Sequence, residues 1–385
     1  MMTFVVSLIF TILDTVLTLV ATLATQVIDF ATRSVTARAA RFDEDTTLSS
    51  CAHRLDSAEP LTLTLADARA LSYAQFGSTN PTAKTVFFLH GWPGSRIEAT
   101  YLHEAAKANN VRIIAADRPG IGKSTADPNR TLLSHADDIQ QLAQHLHADE
   151  YGVLGVSGGG PYALACARAL PADKLKVVAI VCGLGPADIG YWGMYIMNYL
   201  GWTYAARYTP RFLGWWFNRE PTGRLDRSRK ERMDMLIKSF ESSQASLPPK
   251  DARIFGDADV MKVQIRTEEE VHAQGTQFWL QDMKLIASDP GFDVADIRND
   301  LTVQLLYGRA DRNVPLKHGE EIARRLTRRR GGTDHRVTIK VKEHETHASI
   351  FFDYRDEFLR DMACAMYVRR YNSDRTLYVD LPLRL

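Results

Sequence analysis

Ser157 lies in the pentapeptide Gly155-Val156-Ser157-Gly158-Gly159, which follows an apolar stretch and precedes a helix-forming one. A serine on such a strand-to-helix turn is held above the end of the strand, and only small neighbours fit the strained backbone. The helix that follows favours negative charge at its first turn, where an oxyanion would develop. The pattern therefore predicts a nucleophilic serine.

A glycine-rich phosphate loop is the alternative for this segment, because GVSGGG also stands at a helix start. No GxxxxGK[ST] sequence is present, and Ala163 stands where the last glycine of a G-x-G-x-x-G motif would be. The nucleophile interpretation is therefore favoured.

A serine hydroxyl needs a base within hydrogen-bond reach and a group that orients that base. Asp311 follows the predicted strand 301–308, and two histidines, His344 and His347, follow the predicted strand 336–342. The order of serine, acid and histidine along the chain fits a known hydrolase arrangement. The residues by themselves leave both histidines open as the base.

These segments resemble the α/β-hydrolase superfamily, of the AB hydrolase-1 type, over residues 60–368. The matching motifs, in chain order, are FFLHGWPGSR (87–96), DRPGIGKS (117–124), GVSGGGP (155–161), YGRADRNVP (307–315) and HETHAS (344–349). The HGxPGSR and DRPGxGxS pair is similar to a subgroup common in fungi.

The resemblance implies a catalytic triad of Ser157, Asp311 and His347. His347 is preferred to His344 because it stands at the start of the next helix, as the histidine of the family does. Asp188, after the preceding strand, is the reserve candidate for the acid.

The resemblance also implies an oxyanion hole formed by the backbone N–H groups of Trp92 and Gly158. Each such donor contributes roughly 2.7–4 kcal/mol of transition-state stabilisation. The expected function is that of a serine esterase-like hydrolase that cleaves an ester, thioester, lactone or amide of a lipophilic small molecule through an acyl-enzyme. The alternative is a non-hydrolytic protein of the same fold: an acyltransferase, a cyclisation or carbon–carbon bond catalyst, or a binding protein.

The elements that must position these residues alternate along the chain. Predicted strands at 61–65, 69–77, 85–90, 111–116, 151–156, 175–182, 301–308 and 336–342 are separated by helical stretches. Such alternation predicts an α/β fold with a mostly parallel sheet covered on both faces. The expected divisions are a linker (33–59), a hydrolase core in two parts (60–186 and 296–368), a helical lid (187–295) and a C-terminal tail (369–385).

The predicted lid is rich in aromatic residues. Large rings there can be buried against the lid itself, the mouth of the active site, a membrane or a ligand. Trp192, Trp215 and Trp216 are therefore tentative substrate-binding residues, while a lid core built from the same rings is the plainer alternative.

Residues 1–32 predict an N-terminal hydrophobic helix. From Phe4 to Phe30 the chain has no Lys or Arg, and its charges are Asp14 and Asp29. The length suits a membrane span, which needs about 20 apolar residues. We therefore expect a membrane anchor over 4–30 with the hydrolase domain on the cytoplasmic side, because basic residues follow the segment. A helix in the membrane interface and a helix that covers the domain or a dimer interface are the alternatives.

Composition excludes several other classes of protein. The 385 residues carry 47 Lys plus Arg against 46 Asp plus Glu, a net charge of +1, which gives no general field for nucleic acid. The 4 cysteines are scattered, without a CxxC pair, so neither a disulfide framework nor a metal site is expected. No motif calls for a cofactor, and a lipophilic small molecule is the expected ligand.

Overall fold

The computed structural model describes residues 2–32, 51–55, 60–328 and 336–367, with the side chains of the first helix described over 8–24. Linker residues 33–50 and 56–59 and the predicted tail at 369–385 lie outside the described residues.

Within that part of the chain, eight strands form one sheet in the order β1-β2-β4-β3-β5-β6-β7-β8. The strands are β1 (Leu61–Thr64), β2 (Ala70–Gly77), β3 (Lys84–Leu89), β4 (Val111–Ala116), β5 (Tyr151–Val156), β6 (Leu175–Val181), β7 (Thr302–Gly308) and β8 (Val337–Lys342). The pairs β1–β2 and β2–β4 are antiparallel, and all other neighbours are parallel. The predicted mostly parallel α/β architecture is confirmed.

Helices precede the sheet, cover it and form the insertion above it. They are α1 (Met2–Thr32), α2 (His103–Ala108), α3 (Leu132–His145), α4 (Gly160–Ala169), α5 (Ile196–Leu200), α6 (Ala206–Tyr208), α7 (Pro210–Phe217), α8 (Arg229–Ser243), α9 (Pro249–Phe255), α10 (Ala258–His272), α11 (Thr276–Ile286), α12 (Lys317–Thr327), α13 (His347–Asp353) and α14 (Arg355–Tyr367).

The central strands are buried on both faces, which is why their sequences are apolar throughout rather than alternating. Phe87 of β3 shares one core layer with Ile139 of α3 and Leu164 of α4. The next residue, Phe88, points to the opposite layer, which includes Leu359 of α14. The helices cover the two faces of the sheet, so functional side chains can lie together at the carboxyl ends of the parallel strands.

The lid follows β6 and comprises α5 to α11. Buried ion pairs join it to the core: Arg96 Nη1 lies 2.9 Å from Glu270 Oε2 of α10, and Arg118 Nη2 lies 2.8 Å from Asp282 Oδ2 of α11. Arg96 also pairs with Asp117 of the core at 2.5 Å. The second half of the lid is therefore fixed to the core by charged side chains.

Helix α1 packs against the lid at the start of α7. The carboxylate of Asp14, which is 5% exposed, accepts hydrogen bonds from the backbone N–H groups of Arg211 (3.2 Å) and Phe212 (2.9 Å). Those are among the first N–H groups of α7, which have no partner within their own helix. Thr209 at the helix start provides no side-chain cap, so Asp14 supplies the cap from a distant element.

The predicted membrane anchor over 4–30, and with it the membrane-associated location, is wrong. No helix in the described ranges is long and apolar enough to cross a membrane. The carboxylate that interrupts the apolar stretch has its partners in the lid, and the ring of Phe10 stacks on that of Tyr208 with 4.3 Å between centroids. Ile9 and Val20 of α1 remain 56% and 60% exposed.

Candidate active site

Ser157 occupies the sharp turn between β5 and α4, with φ of 53°. This left-handed backbone is unfavourable for most side chains and persists only where the surroundings enforce it. A Cβ on Gly155 would lie 2.6 Å from the carbonyl oxygen of Gly159 and 2.7 Å from the Cβ of Ala163. Glycine at position 155 is therefore what lets the strand and helix approach closely enough to present the serine.

Three polar side chains meet at the carboxyl edge of the sheet. His347 Nε2 lies 3.0 Å from Ser157 Oγ, and His347 Nδ1 lies 2.7 Å from Asp311 Oδ2. The three residues follow β5, β7 and β8, which lie on the same half of the sheet. Because the carboxyl ends of parallel strands share one edge, residues 190 positions apart in sequence come within hydrogen-bond distance.

The orientation of Asp311 is set by the backbone that follows it. Its Oδ1 accepts hydrogen bonds from the N–H groups of Asn313 (2.7 Å) and Val314 (2.8 Å). The other oxygen is therefore directed at His347. Burial lowers the pKa of His347, but the Asp311 carboxylate and the neighbouring Cys182 together outweigh it, and the pKa of His347 lies well above its ordinary 6.5.

The alternative candidates from the sequence lie elsewhere. His344 is exposed in the turn before α13. Asp188 forms an ion pair at 2.9 Å with Arg325, outside the cavity that contains Ser157. The structure therefore brings His347 and Asp311, rather than His344 and Asp188, to Ser157.

The two backbone segments predicted to form an oxyanion hole are neighbours beside Ser157. A Cβ on Gly158 would lie 2.9 Å from the backbone nitrogen of Trp92 and 2.6 Å from its Cβ. Residue 158 can therefore be nothing larger than glycine without moving the loop at 92. The close approach leaves the amides of Trp92 and Gly158 flanking the serine.

A cavity of about 520 Å³ opens above Ser157 and extends under the lid. Aromatic side chains form much of its wall: Trp92, Tyr101, Phe217, Phe255, Phe351 and Phe352. Three carboxylate side chains, Glu98, Glu220 and Glu268, line it as well. The cavity therefore has both aromatic side chains and carboxyl side chains in its wall.

The structure does not place the three tentative substrate-binding tryptophans in this cavity. Trp192 is 79% exposed and Trp216 is 48% exposed, while Trp215 stacks on Phe212 with 5.6 Å between centroids. The prediction of these three residues is therefore wrong: the lid rings in the wall are Phe217, next to Trp216 on α7, and Phe255 at the end of α9.

Several lining residues were missed from the sequence. Glu220, Thr267 and Glu268 lie in the lid, far from any motif, and nothing local marks them as facing the serine. Glu98 was not missed in the same way: it follows the HGWPGSR segment by two residues, and this closeness to a motif marks it as a candidate for the mouth of the pocket, with a structural ion pair as the favoured alternative.

One set of side chains has the atom types of a metal site. Cys182, Asp311 and His347 each offer one ligand atom, and these atoms lie within 4.8 Å of one another. The carboxylate and the imidazole are already bonded to each other and, through Nε2, to Ser157. The geometry thus fits a hydrogen-bonded base better than a metal centre.

The family described as the alpha/beta hydrolase family matches residues 86–361 of this chain. A protein of Leptolyngbya boryana named "Probable proline iminopeptidase" is 36% identical over 109 residues, which are 28% of this chain and 33% of that protein. A protein of Corynebacterium sp. named "Soluble epoxide hydrolase" is 35% identical over 97 residues, 24% of this chain and 31% of the relative. The chain thus matches about a third of the length of these relatives.

Solved structures match over most of the chain. An esterase from Exiguobacterium antarcticum superposes with a TM-score of 0.52 at 18% identity, over 79% of this chain and 98% of that one. An alpha/beta hydrolase fold protein from Nakamurella multipartita gives a TM-score of 0.54 at 18% identity, over 80% and 98%. At these identities the likeness shows a common fold.

Proposed function

The chain belongs to the alpha/beta hydrolase family, and on that premise we propose that it is a serine hydrolase acting on an ester, thioester, lactone or amide of a lipophilic small molecule. The observation that carries the proposal is the hydrogen-bonded series from Ser157 through His347 to Asp311 at the floor of a cavity. Aromatic walls support a lipophilic substrate, and relatives named as iminopeptidases and an epoxide hydrolase support hydrolysis.

In the proposed reaction, Ser157 Oγ attacks the acyl carbon while His347 Nε2 takes the hydroxyl proton. Asp311 holds the ring with Nδ1 protonated and stabilises the imidazolium that forms. The amides of Trp92 and Gly158 donate to the oxygen that becomes negative in the tetrahedral intermediate. When the intermediate collapses, the bond to the leaving group breaks and His347 gives its proton to that group.

The acyl-enzyme is then hydrolysed by the same groups. A water molecule gives a proton to His347 and its oxygen bonds to the acyl carbon. Collapse of the second tetrahedral intermediate breaks the bond to Ser157, and the serine recovers its proton from His347. The net change is addition of one water across the acyl bond.

Labelling with a fluorophosphonate probe tests this proposal. The wild-type protein should be modified at Ser157, located by mass spectrometry of the digest, and should turn over p-nitrophenyl butyrate. The Ser157→Ala variant should do neither while it keeps its unfolding midpoint. Labelling at another residue, or turnover that survives in Ser157→Ala, would contradict the proposal. Labelling without turnover would favour the acyltransferase or binding-protein alternative.

A further inference from the structure

A second cavity is enclosed by the segment after β6, by α5 and α6 of the lid, by the end of α11 and by the start of α12. Its volume is about 740 Å³, against about 520 Å³ for the cavity above Ser157. Among the described residues, none lines both cavities. Ligand sites in proteins commonly measure about 300–1,000 Å³, so the second cavity has room for a small molecule of its own.

Two pairs of aromatic rings form the apolar part of the wall of the second cavity. Tyr191 stacks on Trp202 with 5.8 Å between centroids, and Trp192 meets Tyr199 edge to face at 6.1 Å. Tyr191 is buried in the core and Trp202 packs against it, whereas Trp192 is 79% exposed. One pair is therefore held in place by the core, while the indole of Trp192 presents an open face for a flat apolar group to cover.

The charged part of the same wall has more cations than carboxylates. The charged side chains that line it are Arg207, Lys284, Lys317, Asp188 and Asp289. Both carboxylates already have donors. Asp188 accepts two hydrogen bonds, at 3.1 and 2.9 Å, from Arg325 of α12, which lies outside the lining of this cavity. Asp289 accepts one at 2.8 Å from the N–H of Gly291. Because Arg325 balances the charge of Asp188, the wall has an excess of positive charge.

The three cations of this wall form no ion pair with a carboxylate in the part of the chain that the structure describes. Lys317 Nζ donates to the carbonyl oxygen of Ile189 at 3.4 Å, although an ammonium group has three donors. Burial lowers the pKa of Lys317, and no carboxylate opposes this effect. Arg207 lies over the ring of Tyr208, 5.5 Å from its centroid, and Lys284 is exposed. An anionic group in the cavity would therefore supply the partner that Lys317 lacks.

We propose that the second cavity binds an organic anion with a flat apolar body, such as an aromatic acid. The body lies against the rings of Trp192 and Tyr199, and the anionic group lies beside Lys317. Among the described residues that line the active-site cavity there is no Lys or Arg, so such an anion should prefer the second cavity. The site is separate from Ser157, and its occupancy does not depend on the proposed reaction.

Titration calorimetry of the full-length protein with three naphthalene ligands tests the proposal. The ligands 2-naphthoate, 2-naphthalenesulfonate and 2-naphthalenemethanol share one ring system, and the first two carry a negative charge that the third lacks. We expect at least one anion to bind about tenfold more tightly than the alcohol, as a hydrogen bond to a charged group gives. The better of the two anions then shows whether the site prefers a carboxylate or a sulfonate. If neither anion binds more tightly than the alcohol, the proposal is overturned.

Lys317→Gln should remove most of the preference for the anion, because glutamine keeps a donor for Ile189 and carries no charge. Lys284→Gln, at an exposed position of the same wall, gives a second test that does not depend on how the first variant folds. Lys107→Gln is the matched control, because Lys107 is exposed on α2 and lines neither cavity. An equal loss of affinity in all three variants would mean that net charge attracts the ligand, and it would overturn the proposal.

Two aromatic substitutions locate the bound anion. Trp192→Ala should weaken its binding by about threefold or more, because a ring contact with the ligand is lost. Phe255→Ala removes a ring from the active-site wall instead and should leave the Kd unchanged. Weaker binding in Phe255→Ala together with unchanged binding in Trp192→Ala would place the anion above Ser157 and overturn the proposal. None of these measurements requires hydrolysis, so failure of the second site and failure of the proposed function are distinguishable.

Discussion

The floor of the cavity and the lid above it are positioned by different interactions. At the floor, Ser157 and Asp311 follow strands and are oriented by the backbone: by close glycine packing in one case and by two N–H donors in the other. The lid is joined to the core through charged side chains: Arg96 is buried between Asp117 of the core and Glu270 of the lid, and Arg118 of the core pairs with Asp282 of the lid.

The proposed catalytic residues and the lid residues that line the cavity are therefore held in place by different kinds of contact. Backbone contacts depend little on which side chains the lid carries, so the floor can keep one geometry while the lid varies. Side-chain ion pairs are sensitive to single substitutions, because removal of one partner leaves a buried charge behind. Substitutions at the floor should therefore change the rate of catalysis. Substitutions in the buried ion pairs between lid and core should change the free energy of unfolding.

The largest effect is expected from Asp311→Asn, at the floor. The variant retains the shape of the side chain but loses the charge that holds the His347 ring, and kcat/KM should fall by about 10⁴-fold. Steady-state kinetics on a neutral p-nitrophenyl ester measure this. Asp188→Asn is the control, because its side chain is 66% exposed, and it should retain wild-type rates. Loss of activity in Asp188→Asn instead would show that the acid had been wrongly assigned.

Arg96→Met tests the buried ion pairs between lid and core. The substitution leaves Asp117 and Glu270 without their buried partner, and the free energy of unfolding should fall by about 3–5 kcal/mol. Urea denaturation followed by tryptophan fluorescence gives that value. Arg309→Met, in the exposed pair with Glu343, should show no measurable change. If both variants unfold at the same urea concentration, the joint between lid and core does not depend on the buried charges.

The pH dependence of kcat/KM tests the role of His347 at the floor of the cavity. In the proposed mechanism His347 must be neutral to accept the serine proton, and Asp311 raises its pKa well above 6.5. Activity should therefore be lost as the pH falls through that raised pKa, so the acid limb of kcat/KM for a neutral ester should lie above pH 6.5.

Glu98 is a second group in the cavity whose pKa is raised, in this case by burial to about 7. Glu98→Gln separates the two groups, since it should leave the acid limb in place. A limb that moves or disappears in that variant would assign it to the cavity wall instead.

The smallest effect is expected from Asp14→Ala on α1. Loss of a helix cap typically costs about 1 kcal/mol, so the free energy of unfolding should fall by that amount without a change in kcat. Thr22→Ala is the comparison on the same helix, because the Thr22 hydroxyl bonds to Thr18 of α1 itself at 2.7 Å. Equal destabilisation by both variants would mean that the contact with α7 contributes nothing.

Much of the floor could be predicted from sequence because local patterns determine it. The serine turn needs glycines at fixed offsets, and Asp311 follows a strand that is recognisable by itself. The residues alone left His344 and His347 open. The fold separates them, because α13 begins at His347 and turns its ring toward Asp311, while His344 stays in the exposed turn.

The lid could not be predicted in the same way, because tertiary contacts decide which ring faces the cavity. Trp216 and Phe217 are adjacent on one short helix, and composition cannot say which of them points inward. The membrane prediction failed for a related reason: the partners of Asp14 come 197 and 198 residues later. The cost of burying the Asp14 carboxylate is offset by hydrogen-bond donors that are distant in sequence, and a local sequence pattern does not reveal them.

That carboxylate also fixes how the N-terminal helix is aligned. Apolar contacts between helices tolerate sliding, since one leucine fits a groove about as well as another. A shift of α1 by one turn, about 5.4 Å, would take the carboxylate of Asp14 away from the amides of Arg211 and Phe212 and leave it buried without donors. A single polar contact among apolar ones selects one register out of several, as buried polar residues do in coiled coils. Asp14 thus determines the register of α1 against α7 more than it adds to the strength of their contact.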